Sequence, residues 1–398
     1  MSIAETAPTT TTRPAWLALD KIGVLIALVS AAGAALPFAL FRANRIVLGE
    51  PKSLLAALPA PETTILVAVL LLGFAAALLR FSARIKLTIG FLVLAVLFIF
   101  MGWSASYLTP DGDTFARVSP GAGFWILAFA FALLVADALT RLKFGPWQRI
   151  AILFAVAAAL ALLLWSGSWN DLSILKEYST RAAAFWNEAR THLALAFGSV
   201  AIAIVVGVPL GILCYRVKAV RAVVLNTLNI VQTIPSIALF GLLIAPLAWI
   251  AANVAGASAI GISGIGTAPA LVALFAYSLL PVVSNTVVGL QSVSPAAIDA
   301  AKGMGMTGRQ RLFGVELPLA FPVILTGIRI VLVQNIGLAT IAALIGGGGF
   351  GVFVFQGIGQ TAMDLVLLGA VPTVALAFAA AVVLDALVEM TSRGGNAP

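Results

Sequence analysis

Apolar residues run along this chain in stretches of about 18 to 25, parted by short segments that collect the charges, prolines and tryptophans. Ten such stretches can be marked, near 22–41, 63–80, 87–108, 122–140, 149–166, 192–215, 222–250, 267–290, 318–345 and 365–388. A helix of about 20 residues rises ~30 Å, the thickness of the hydrocarbon layer. None of the stretches alternates with period two, and lipid supplies no hydrogen-bond partner, so each must satisfy its own backbone as a helix. The pattern predicts an all-α, polytopic membrane protein of about ten transmembrane helices.

The polar segments between the stretches set an orientation. With the N-terminus inside, fifteen of the 23 Lys and Arg residues fall in inside segments. Seven fall outside (Arg42, Arg45, Lys52, Arg117, Lys176, Arg181 and Arg190), and Arg329 lies within a span. Positive loops stay cytoplasmic, so both termini are expected on the inside. All eight Trp residues, Trp16, Trp103, Trp125, Trp147, Trp165, Trp169, Trp186 and Trp249, fall at or beyond span ends, where an amphipathic ring prefers the interface.

Composition agrees with the pattern: 62% of residues are hydrophobic, 10% are charged, and the mean hydropathy is +1.11. The net charge of +8 then describes inside loops near anionic lipid rather than a nucleic-acid partner. One cysteine, Cys214, and one histidine, His192, exclude an internal disulfide and a Cys/His metal site, and both read as packing residues. The Thr-rich start, Thr9 to Thr12, reads as part of a disordered cytoplasmic tail over 1–21.

The stretch Gly167 to Arg190 is the longest outside segment and divides five spans from five. Spans one to five (22–166) are mostly Ala, Leu, Val and Phe, whereas the second half carries Pro, Gln, Asn, Ser and Gly in number, which places function there. Segment 167–190 reads as a periplasmic linker or, because Leu172, Leu175, Tyr178, Phe185 and Trp186 fall among polar residues, an interfacial helix. No repeat relates the halves, which tells against a duplicated secondary transporter.

Between spans eight and nine, Ser294 can cap a helix, Pro295 suits its first position, and Gly303, Gly305 and Gly308 end it in a sharp turn. A short helix, a glycine turn and a second helix entering the membrane follow. Asp299-Ala300-Ala301, three residues, Gly305, nine residues, Val315, one residue and Leu317-Pro318 complete the segment. This spacing resembles the Glu-Ala-Ala, Gly, Ile and Leu-Pro loop of importer permeases that dock on ATP-binding subunits, with Asp for Glu and Val for Ile. The resemblance implies that 294–318 is the coupling loop, with Asp299, Ala300, Ala301, Gly305, Arg309, Arg311, Leu317 and Pro318 facing the ATPase. Small Ala300 and Ala301 would let that subunit approach, and Arg309 and Arg311 would offer it charge. The same glycines imitate a dinucleotide fingerprint and a phosphate loop, but no strand precedes them and Arg309-Gln310 lacks the Lys and hydroxyl that bind phosphate and Mg²⁺. This chain is therefore expected to hold no cofactor, with ATP and Mg²⁺ on the partner.

In span seven, Gln232-Thr233-Ile-Pro235-Ser236 and the run to Leu243 resemble the osmoprotectant permeases of the same importer group, and Pro235 predicts a broken helix. Gln232, Thr233, Pro235, Ser236, Asn285, Gln334 and Asn335 are candidates to line a translocation pathway; pairing between helices is the alternative for each. Arg329 is expected to snorkel, with internal pairing as the alternative. Asp137, Asp385 and Glu389 are expected to face the interface. The Gly346 to Gly351 run resembles the glycine-rich segment of the same permeases and reads as a flexible or tightly turned outer gate.

The resemblance covers about 190–390 and implies a type I importer permease core over 191–390. Its substrate would be an osmoprotectant of the glycine betaine or choline type, and the first five helices look like those of the longer permease in some two-permease systems. It implies cytoplasmic ATP-binding subunits, a second permease subunit, identical or different, and a periplasmic substrate-binding protein. No residue is expected to be catalytic. The other readings are a permease for an amino acid or organic anion, a gradient-driven transporter, and a membrane-embedded enzyme. The acids cluster near span ends rather than at mid-membrane, and His192 and Cys214 have no catalytic partners in sequence.

Overall fold

A computed structural model describes residues 19–45 and 47–393. The Thr-rich start, with Arg13 and Trp16, lies outside them. The chain is mostly helical and divides into two compact units, Met1–Phe144 with Ala158–Lys176, and Gly145–Ala157 with Glu177–Pro398.

The first unit contains helix α1 (Lys21–Ala35), strands β1 (Ala39–Arg42) and β2 (Glu50–Lys52), helices α2 (Ala60–Leu78) and α3 (Ala83–Leu108), strand β3 (Arg117–Pro120) and helix α4 (Ala122–Leu142). Asp20, assigned by the sequence to the tail, instead caps α1 by accepting from the Ile22 amide, and Leu19 bridges to Leu79. The first span was expected to reach residue 41. It stops at Ala35 because Pro37 follows, and Phe38 turns to pair with Lys52 and Gly121. Residues 39–42 form the middle of a three-stranded antiparallel sheet, order β2-β1-β3, which the helical pattern did not predict. Strands this short carry too few positions for alternation to register. Phe38, Leu66, Leu97, Met101, Phe124 and Phe131 fill the core below the sheet.

This unit also holds a buried ionic set. Lys86 is only 1% exposed and reaches Asp20 at 2.8 Å, while Arg141 binds Asp20 and Asp137, each at 2.9 Å. Asp137 therefore serves a salt bridge instead of facing the interface, because Arg141 lies one helical turn away on the same face of α4 and joins it to Asp20. At Asp20, burial works against the charged form, but the Lys86 hydrogen bond and the charges of Lys86 and Arg141 outweigh it and hold the carboxyl below its usual range.

Helix α5 (Pro146–Trp165) contributes to both units, and α6 (Ser173–Arg216) begins the second, with non-helical dihedrals at Arg181 (φ −131°, ψ 21°). The expected linker at 167–190 thus becomes helical from Ser173 and runs, across that kink, into the sixth span. The second unit continues with α7 (Lys218–Thr233), α8 (Ser236–Leu242), α9 (Ile244–Asn253), α10 (Thr267–Ser292), α11 (Pro295–Gly303), α12 (Gly308–Arg311), α13 (Leu317–Leu338), α14 (Gly351–Gly359) and α15 (Met363–Arg393). The span expected at 222–250 is three helices, and Ile234, extended at ψ 127°, marks the break before Pro235. The span expected at 318–345 ends as a helix at Leu338 and passes into a 3₁₀ turn, Ile341–Ile345. Among the described residues nine helical segments have the length and apolarity to span, counting α8 and α9 together; α1, with 15 residues, is the shorter tenth.

Candidate functional site

The segment between α10 and α13 folds from local signals. The Ser294 side chain accepts from the Ala297 amide, Pro295 opens α11, and Gly305 turns the chain at φ +77°. Thr307 and Gln310 then form a reciprocal capping box that starts α12. A single π turn, Leu312–Glu316, joins α12 to α13, with Leu317 and Pro318 in the first turn of α13.

Asp299, Ala300, Arg309 and Gly305 are exposed on this element, as are Met304 and Phe313. Two of the expected contact residues are engaged within the chain instead. Ala301 is buried, because it sits on the inward face of α11, so Ala300 alone offers a small surface residue. Arg311 donates to Glu316, a nearly fully buried carboxylate, at 2.5 Å, whereas Arg309 is exposed. Asp299 pairs with Lys302 at 3.0 Å in full exposure.

At the opposite end of the helices, Tyr277 organises the break at Pro235. Its hydroxyl donates at 2.5 Å to the Ile234 carbonyl at the break, and the Gln232 amide donates at 2.9 Å to the Tyr277 carbonyl, which Pro281, four residues on in α10, leaves without a backbone donor. One turn of α10 also receives Asn335: its amide donates to Ser278 at 2.8 Å and to Ser199 of α6 at 2.7 Å. Asn335 is fully buried and ties three helices together. Asn285 donates to Pro281 within α10 and packs where Gly327 leaves room. Thr233 is exposed and bonds back to Ile230, and Ser236 opens α8 half-buried. Gln334 lines a separate open cavity of about 560 Å³ with Arg329 and Asp385. Gln232, Pro235 and Asn335 thus gather around residues 274–278, whereas Asn285 and Gln334 do not join them.

Two families match the chain. Residues 203–394 match the binding-protein-dependent transport system inner membrane component, and residues 20–175 match the N-terminal domain of the ABC transporter permease YehY. The osmoprotectant import permease protein OsmW of Salmonella typhimurium is 46% identical over 198 residues, which is 50% of this chain and 85% of that protein. The chain belongs to the binding-protein-dependent transport permeases. The glycine betaine/carnitine/choline transport system permease protein OpuCB of Bacillus subtilis is 38% identical over 202 residues, covering 51% of this chain and 84% of that one. The solved methionine ABC transporter MetNI, in inward-facing form, has a chain 23% identical with a TM-score of 0.46, covering 53% of this permease and 97% of that chain.

Within this inner-membrane permease, Arg329 departs from the snorkelling expected of it. It pairs with Asp385, and Asp385 also accepts from Arg149 at 2.6 Å, while Arg149 meets Glu389. Partners arriving from α5 and α15 make pairing cheaper than stretching to the interface, and no spacing within α13 announces them. Asp385 and Glu389 are accordingly salt-bridge partners. The glycine run forms a tight turn, with Gly346, Gly348 and Gly349 at φ +74°, +73° and +85°. Glu188 of α6, which sequence reasoning passed over, accepts from the Gly349 amide at 2.5 Å. His192, one turn further, is fully buried with its ring 4.9 Å from that of Phe350. Their shared i, i+4 face on α6 is the sequence signal that could have linked them.

Proposed function

We propose that this permease is the transmembrane subunit of an ATP-driven importer of a small osmoprotectant, a quaternary amine of the glycine betaine or choline type. The observation that carries the reading is the exposed α11–turn–α12 element, positioned at 295–311 to meet a partner and joined without a loop to α13. The substrates for which these relatives are named support the substrate class.

On this reading ATP and Mg²⁺ sit on cytoplasmic subunits and this chain catalyses nothing. A second permease subunit completes the translocation pathway, and a periplasmic binding protein delivers substrate. The distribution of Lys and Arg supports N-in, C-in. Closure of the ATPase pair would displace α11 and α12, and the continuous π turn would pass that displacement to α13. The helices then redistribute between inward-open and outward-open states. Around the Pro235 break, Gln232, Thr233 and Ser236 would border the route. Gentle solubilisation of the native complex followed by mass spectrometry tests the assignment: an ATPase and a shorter permease should co-purify. Recovery of this chain alone at full yield would refute it.

A further inference from the structure

Helices α6 and α13 each run from the coupling element to the glycine turn, and three ties join them or their extensions. At the coupling end, the Arg216 guanidinium donates to the Gly308 carbonyl at 3.3 Å. Midway, Asn335 donates to Ser199 at 2.7 Å. At the far end, the Gly349 amide donates to Glu188 at 2.5 Å. From Glu188 to Arg216 the helix rises about 42 Å and continues past Pro209, so one helix touches both ends of the transport unit.

The far tie has the form of a clasp. Gly348 and Gly349 lie at positive φ, where other residues are strained, and a Cβ at Gly348 would stand 2.8 Å from the Glu188 carboxylate. The turn therefore comes close enough for its amide to meet a charged acceptor, which gives a stronger bond than a neutral pair. On the same face of α6, Phe185 packs against Phe350 and Phe353 with ring centroids 5.4 and 6.1 Å apart, and His192 packs against Phe350 from the other side. Phe185, Glu188 and His192 thus hold residues 348–350 by one polar and two ring contacts. Phe350, Phe353 and His192 are buried, so the Gly349–Glu188 hydrogen bond is the part of this contact that a small displacement breaks without parting the rings, because its strength depends on distance and angle.

We propose that Glu188 is a positioning residue for transport: it latches the 346–350 turn onto α6 in one state and releases it when the coupling element moves. The inference rests on the importer reading above. Because α6 carries both the latch and Arg216, displacement at Gly308 must strain the far tie or move with it. Loss of the latch leaves the turn free to open without the signal that normally opens it. ATP hydrolysis would then run without the binding protein.

The test is ATP hydrolysis and substrate uptake by the complete reconstituted complex, with and without the binding protein. The wild type should be stimulated by it. Glu188→Ala should raise the unstimulated rate about tenfold and lower uptake per ATP by a similar factor, and Glu188→Gln, which keeps an acceptor but loses the charge, should fall between. A wild-type complex that the binding protein does not stimulate sinks the importer reading itself. A stimulated wild type beside a Glu188→Ala complex with unchanged basal hydrolysis and uptake overturns the latch. If the Ala variant does not assemble, the Gln variant decides: a raised basal rate supports the latch, and a wild-type rate overturns it.

Discussion

Gly305 turns between α11 and α12 at φ +77°, and a Cβ there would meet open space. A side chain thus costs only the left-handed backbone, about 1 kcal/mol, so Gly305→Asp should leave the protein inserted and folded. Its added charge at the partner surface should abolish transport, read as uptake normalised to membrane-inserted chain. Asn335 is of another kind, because its contacts lie wholly inside the unit. Asn335→Leu removes the donor to Ser199 and Ser278 and should lower stability by about 1 kcal/mol, measured by thermal unfolding in detergent. Asp20 adds a pH dependence. Its carboxyl titrates below the ordinary value of 3.8, so its contribution is present above that value and lost as pH falls through the lowered one. Asp20→Asn should remove this acid step and, by leaving Lys86 buried beside a neutral amide, cost about 3 kcal/mol at neutral pH. The polar character of Asn335 was plain in the sequence, but its partners, 57 and 136 residues away, were not.

At the scale of elements, the helix boundaries that held were those written in local chemistry. Ser294-Pro295 and Pro235 each act within a few residues, so the chain alone carries the signal; the capping box of Thr307 and Gln310 is as local but went unread. Pairing did not show: Pro37 ends α1 locally, but the turn of Phe38 into the sheet depends on Lys52 and Gly121, which come from two separate segments. Packing between helices was equally hidden. Gly207 and Gly211 place a small-residue face of α6 against α10, where a Cβ at Gly211 would lie 2.5 Å from the Thr286 Cβ. Gly211→Leu should therefore force α6 from α10 and sharply reduce folded protein, measured by monodisperse yield after solubilisation. Gly303→Leu, facing open space, serves as the control and should leave yield unchanged.

Across the whole molecule, charges join segments far apart in sequence. Asp385 accepts from both Arg149 and Arg329, so Arg329→Ala leaves Asp385 with one partner, whereas Asp385→Ala leaves two arginines facing each other. The second change should destabilise more, by about 1 to 2 kcal/mol, in the same thermal assay. The sequence by itself determined the helical membrane class, nearly all of the spans, the break at Pro235 and the helix that opens at Ser294 and ends at the glycine turn. Each follows from local hydrophobicity, capping or fixed spacing, and lipid leaves the backbone no other solution than helix. Only the tertiary structure decided that Ala301 and Arg311 turn inward, that Arg329 pairs with Asp385, and that Glu188 clasps Gly349. In a chain that is 62% hydrophobic most of the long helices have several apolar faces of similar strength, so the face that meets a neighbour is fixed by that neighbour's shape and charge.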